Sequence, residues 1–93
     1  MVKGKLTNGF EFEVDEEILL DYDFLKLSVE YGKDSSNLKV FDDMLLMIFG
    51  EEQKAAFEES FRNKNGRKLI KPLMEGFREL TEILTEKNKE IKN

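Results

Sequence analysis

VFDDMLLMIFG, residues 40–50, is the stretch on which the reading of this chain turns. Eight of its eleven residues are apolar, in a chain otherwise crowded with charge. On a helical wheel with Leu38 at zero, Val40, Phe41, Met44, Leu45 and Ile48 fall between roughly 200° and 340°, the width of a core stripe. Lys39, Asp42 and Asp43 mark the wet side, near about 100°, 40° and 140°. Leu46 lands near about 80°, inside that wet sector, with Met47 near about 180° and Phe49 near about 20°. Two arrangements account for this surplus. Either other elements pack on both sides of the helix and make it central, or Leu46, Met47 and Phe49 belong to an exposed apolar patch. Such patches mark interaction sites, and methionine suits a surface that accepts varied partners. Leu46, Met47 and Phe49 are therefore the candidate partner-binding residues.

Working outward, Gly50 stops this helix and Glu51-Glu52 start another, over about 51–63, with Gln53, Ala56, Phe57, Ser60 and Phe61 as its inner stripe. On the other side, residues 33–37 (KDSSN) form a polar loop with cap residues, so the helix runs over about 38–49. Before it, Ile18, Tyr22, Leu25 and Val29 fall at helical spacing, and so do Leu20, Phe24, Leu27 and Tyr31. Together they give one wide apolar face over about 16–31, capped by Asp15 with acids in its first turn. A second cap at Asp21 or Asp23 would split this span, and both options stand. Gly32 reads as the glycine just past its end. Residues 2–14 read as a β-hairpin around a Thr7-Asn8-Gly9 turn: Phe10, Phe12 and Val14 alternate with Glu11 and Glu13, and Asn8-Gly9 offers positive-φ residues for the turn. Such a hairpin is marginal alone, so its apolar face must pack on something. Pro72 suits the first turn of a last helix, 70–85, with Leu73, Phe77, Leu80 and Leu84 on one stripe. Residues 86–93 read as a frayed polar tail. The expected fold is mainly α (α+β), a short N-terminal hairpin followed by a compact bundle of three to four helices in a single domain, residues 1–85.

Composition narrows the chemistry. The chain has 93 residues, a net charge of −5 and neither cysteine nor histidine. No disulfide, thiolate metal site or thiol nucleophile is available. The commonest general base and metal ligand is missing too. Ser and Thr lack a histidine partner, and no glycine-rich phosphate loop occurs, so no enzyme, cofactor or metal site is expected. The longest unbroken apolar run, Met44–Phe49, is far short of the ~20 residues that span a bilayer, and the first ten residues hold no apolar signal core. A soluble, reduced, intracellular setting follows, without membrane contact.

Three charged or loop features compete for a role. Residues 62–70 (RNKNGRKLI) place Asn63, Asn65 and Gly66 as a calcium loop would. With Gly66 in the sixth place, however, the first ligand position is Phe61 and the twelfth is Pro72, so both end ligands are missing and a turn is the better reading. Arg62, Lys64, Arg67, Lys68 and Lys71 form a basic patch with no acid between Glu59 and Glu75, whereas residues 11–30 hold eight acids and one lysine. Solvated faces explain both runs, and opposite patches also allow self-association or an oriented partner. The acidic balance and the lack of nearby aromatics argue against nucleic acid. Asp15, Glu16, Glu17, Asp21 and Asp23 match no loop motif and read as helix-start acids.

The order of features resembles a known family. The hairpin GKLTNGFEFEV (4–14), the acidic-aromatic LLDYDFLKLSVE (19–30), MIFGEEQKAAFEESFRNKNGR (47–67) and MEGFRELTEIL (74–84) are similar to the small tail assembly chaperones of long-tailed phages and prophages of Gram-positive bacteria. The likeness spans about residues 3–85 and rests on pattern and order, since the family has no catalytic signature. It implies a non-enzymatic protein of the host cytoplasm that coats the long, helical, aggregation-prone tape measure protein. The chaperone then gives way to tail tube protein and is absent from the finished virion. Many members also exist as a longer ribosomal-slippage product, of which this chain would be the short form. Binding would use helix-in-groove contact around the second helix, or strand addition at the hairpin edge, with many copies on one client adding avidity. A tail-completion subunit or an inhibitor of a host factor is the rival reading.

Overall fold

In the computed structural model, which describes residues 1–92 and their side chains through residue 89, the chain opens with strands β1 (Val2–Lys5) and β2 (Glu11–Val14). They pair antiparallel, Val2 opposite Val14 and Gly4 opposite Phe12. The alternation works as expected: Val2, Phe12 and Val14 are buried while Glu11 and Glu13 face solvent. The turn is Thr7-Asn8-Gly9, as expected, and differs only in the backbone of Asn8. Leu6 accepts from Gly9 N–H at 2.8 Å and donates to Phe10 O at 2.8 Å, and only Gly9 has positive φ, 95°. This is the expected three-residue loop, closed by a left-handed glycine, with Asn8 outside the positive-φ region. Asn8 instead uses its side chain, accepting Phe10 N–H at 3.0 Å and donating to Ser60 Oγ at 3.1 Å.

The span after the hairpin divides at Asp21. A 3₁₀ turn, Glu16–Leu20, is capped by Asp15, whose Oδ1 accepts Glu17 N–H at 2.9 Å. Asp21 is extended, and its Oδ1 accepts Phe24 N–H at 3.0 Å to start α1 (Tyr22–Lys33). Asp34 caps the end of α1. Gly32, expected just beyond the helix, lies inside its last turn. The KDSSN loop leads to α2 (Leu38–Glu59), begun by Asn37, whose Oδ1 accepts Val40 N–H at 3.2 Å.

Gly50 breaks α2 into two limbs, 38–49 and 51–59. Its φ of 75° and ψ of 174° are not helical, and that region belongs almost to glycine alone. The stop expected there is real, and the two limbs join directly without an intervening loop. The second limb ends at Glu59, short of the expected residue 63. Within it Phe57 is fully buried, whereas Ala56 and Ser60, expected inside, are exposed. The last helix, α3 (Ile70–Lys92), outruns its expected end at residue 85. Residues 86–92 are helical rather than frayed, and Asn88 Nδ2 donates to Glu16 O at 2.9 Å, tying that extension to the 3₁₀ turn. Asn93 lies outside the described residues.

The bundle is thus a two-strand hairpin with three helices, mainly α. Its core has two aromatic groups on either end of the first limb of α2. Phe57 meets Phe10, Phe49 and Phe61 at ring-centroid distances of 5.6, 5.0 and 5.1 Å. Phe41 meets Tyr31 at 5.9 Å and Phe77 at 5.4 Å. Leu73, Phe77, Leu80 and Leu84 bury the stripe of α3. The hairpin is clipped down at both ends. Thr7 donates through its N–H and Oγ1 to Glu79 Oε2, each at 2.9 Å, and Gln53 pairs with both backbone groups of Glu13.

Candidate functional site

The bend at Gly50 folds the second limb of α2 back beside the first and leaves a groove along their shared outer side. Its wider part, about 310 Å³, has a floor of buried Phe41, Leu45 and Leu73 and walls of Leu38 and Ile70, both half exposed. A second part, about 290 Å³, holds Leu46 and Ala55 between Asp43 and Glu51. Asp42, Lys54 and Glu58 border both parts.

Those three side chains, with Lys68, form a charged bar across an apolar trough. Lys54 Nζ lies 2.7 Å from Glu58 Oε2 and 3.6 Å from Asp42 Oδ1. Lys68 Nζ reaches Glu58 Oε1 at 3.3 Å. Lys54 and Glu58 sit four residues apart, so one helical turn brings them together. Hydrogen bonding to Glu58 raises the pKa of Lys54 against the opposing effect of burial. Burial works against the Glu58 carboxylate, but hydrogen bonds from Lys54 and Lys68 outweigh it and hold its pKa below the usual range. Both shifts favour the charged forms of Lys54 and Glu58. The trough can take an apolar ridge, and the bar offers both signs of charge to groups flanking that ridge.

Of the three candidate binding residues, only Leu46 lies open, 43% exposed, in the groove. Met47 is half buried and packs on the core. Phe49 is a correction: at 7% exposure it belongs to the core. The wheel placed it at the wet margin because it assumed one straight helix. The bend instead brings Phe57 over its ring, and the hairpin supplies Phe10 at 5.8 Å. Strand addition loses one anchor for a similar reason. Gln53 Oε1 accepts Glu13 N–H at 2.7 Å and its Nε2 donates to Glu13 O at 3.0 Å, so the amide already occupies the β2 edge there.

Several of the other charged features are spent on structure. In the loop after α2, Asn63 Oδ1 accepts Asn65 N–H at 2.9 Å and Arg67 N–H at 3.0 Å, closing the turn expected there. Arg62 pairs with Glu59 at 2.6 Å and donates to Gly66 O. Asp15 and Asp21 are caps, Glu16 faces the N-terminal amine at 3.4 Å, and Asp23 pairs with Lys26 at 3.4 Å. Among the described residues, no group of three or more acids is placed to hold a metal ion, and no helix is long and apolar enough to cross a membrane.

A larger apolar surface appears where the sequence showed only one wide face. The two stripes around α1 lie on opposite sides of it. Phe24, Leu27 and Tyr31 turn to the core, while Tyr22, Leu25 and Val29 are exposed. The signal was present in the spacing, since two separate stripes on one helix exceed what one packing face can cover. Comparison with protein-family models, with curated proteins and with solved structures finds no match to this chain.

Proposed function

We propose that this chain is a tail assembly chaperone of a long-tailed phage or prophage, a non-enzymatic protein that binds the tape measure protein in the bacterial cytoplasm and keeps it soluble. The observation that carries the reading is the groove along α2, in which Leu46 and the exposed walls Leu38 and Ile70 flank a floor of Phe41, Leu45 and Leu73. An amphipathic client helix laid in such a trough buries its apolar ridge, and its charged flanks meet the Asp42–Lys54–Glu58–Lys68 bar. The likeness of residues 3–85 to the chaperone family supplies the identity of the client. The absence of cysteine and histidine agrees with a binding role. Each single contact is modest, and a long client that takes many copies gains avidity instead.

The test is co-expression of the chain with a tape measure protein, following the client's soluble fraction. The wild type keeps the client soluble, and Leu46→Asp, which places a charge in the groove without touching the core, lowers the soluble fraction several-fold. A folded Leu46→Asp protein that protects the client as well as the wild type removes the groove from the account. A wild type that protects no tape measure protein removes the chaperone reading itself.

A further inference from the structure

We infer that Asn65 is a covalent modification site, at which the Gly66 amide nitrogen displaces ammonia from the Asn65 side chain and water then leaves an aspartate or isoaspartate. The chain carries the dipeptide Asn-Gly twice, at 8–9 and at 65–66. Glycine favours this reaction because no side chain shields its amide nitrogen or restricts its backbone. Residue type alone marks both asparagines, and the fold separates them.

The two backbones match. Both dipeptides are exposed. Gly9 has φ 95° and Gly66 φ 78°, and a Cβ on either would meet nothing within 4 Å. Each glycine N–H closes a turn, Gly9 onto Leu6 O at 2.8 Å and Gly66 onto Asn63 O at 2.9 Å. Water reaches both sites, and attack at either must first release one backbone hydrogen bond. The side chains differ. Asn8 Nδ2 donates to Ser60 O at 3.3 Å and to Ser60 Oγ at 3.1 Å, and its Oδ1 accepts Phe10 N–H at 3.0 Å. Its amide cannot turn onto Gly9 N until all three bonds are released. Among the described residues, nothing hydrogen-bonds the Asn65 side chain. Asn63 holds that turn instead, through its own Oδ1. The Asn65 amide is therefore free to swing onto Gly66 N.

The step balances without a cofactor. Hydroxide removes the Gly66 amide proton, and the nitrogen forms a bond to Asn65 Cγ. The Cγ–Nδ2 bond breaks, and Nδ2 leaves as ammonia with a proton from solvent. Water opens the resulting cyclic succinimide. Cleavage of the new bond to Cγ gives aspartate, and cleavage of the old backbone bond gives isoaspartate. One water is consumed and one ammonia released, with no change of oxidation state. The product sets a carboxylate among Arg62, Lys64, Arg67 and Lys68 in the chain's basic loop.

Incubation of the purified full chain in mildly alkaline buffer tests this. Cleavage after glutamate leaves Asn8 in residues 1–11 and Asn65 in residues 60–75. Mass spectrometry then reads a gain of about 1 Da in each fragment, and fragmentation assigns it to one asparagine. In the folded chain Asn65 reacts at least ~tenfold faster than Asn8, because three hydrogen bonds restrain only the latter. In guanidinium chloride those bonds are gone, and the two rates come within about threefold of each other. Asn65→Ser keeps a turn-forming residue and removes the fast reaction. Equal rates in the folded chain, or faster reaction at Asn8, overturn the inference. A gap that persists in the unfolded chain, or a fast reaction that survives Asn65→Ser, overturns it equally.

Discussion

Replacing Gly50 by alanine isolates the cost of the bend in α2. At φ 75° and ψ 174° an L-residue pays for a backbone conformation that only glycine adopts freely, about 1–3 kcal/mol. A Cβ at this position would meet nothing within 4 Å, so no steric clash adds to that figure. Taking about 2 kcal/mol, the thermal midpoint of a domain this size falls by roughly 8–16 °C. The urea midpoint falls by roughly 1–2 M at unchanged slope. That is a large share of the ~5–14 kcal/mol total expected for a chain of this length. Urea and thermal unfolding followed by far-ultraviolet circular dichroism read both quantities. The informative control is D-alanine at position 50, introduced by chemical ligation. It has the same Cβ but prefers the mirror-image region, so it keeps the bend and the wild-type midpoint. An L-alanine variant as stable as the wild type, or a D-alanine variant as damaged as the L form, would refute the reasoning.

Two further outcomes follow from the packing and the charged bar. Phe57→Ala empties the site between Phe10, Phe49 and Phe61 and destabilises the fold by about 3–5 kcal/mol in urea titration, near the limit of what the domain tolerates. Glu58→Gln loses about 1 kcal/mol at neutral pH by breaking the bar. Because the folded carboxylate titrates below its usual value, its contribution is fully present above about pH 5 and is lost as pH falls through the folded pKa. The stability gap between Glu58→Gln and the wild type therefore closes on acidification, as thermal melts across pH 3–7 would register.

Much of the fold could be read from local chemistry. The alternation in Phe10–Val14, the caps Asp15, Asp21 and Asn37, the stop at Gly50 and the stripe Leu73–Leu84 each act within a turn or two of the chain. What escaped depends on residues distant in sequence. Phe49 looked peripheral because Phe57 and Phe10 reach it only after the bend and the hairpin are both in place. The polar end of α3 looked frayed because Glu16, which Asn88 grips, lies 72 positions away. Gly32 read as a terminator on residue type alone, but Asp34 performs that role. The groove was half legible. Leu46 stood out on the wheel, and Lys54 and Glu58 sit at salt-bridging spacing, but their convergence with Asp42 and Lys68 needs the folded second limb.

The clips between the hairpin and α3 also set the order in which the protein can be completed. Thr7 pairs with Glu79 and Glu16 with Asn88, each across 72 positions of sequence. Closing such long loops costs entropy that early segments alone cannot offset. These two clips therefore close after the shorter-range contacts that the hairpin makes with α2 through Phe10 and Gln53.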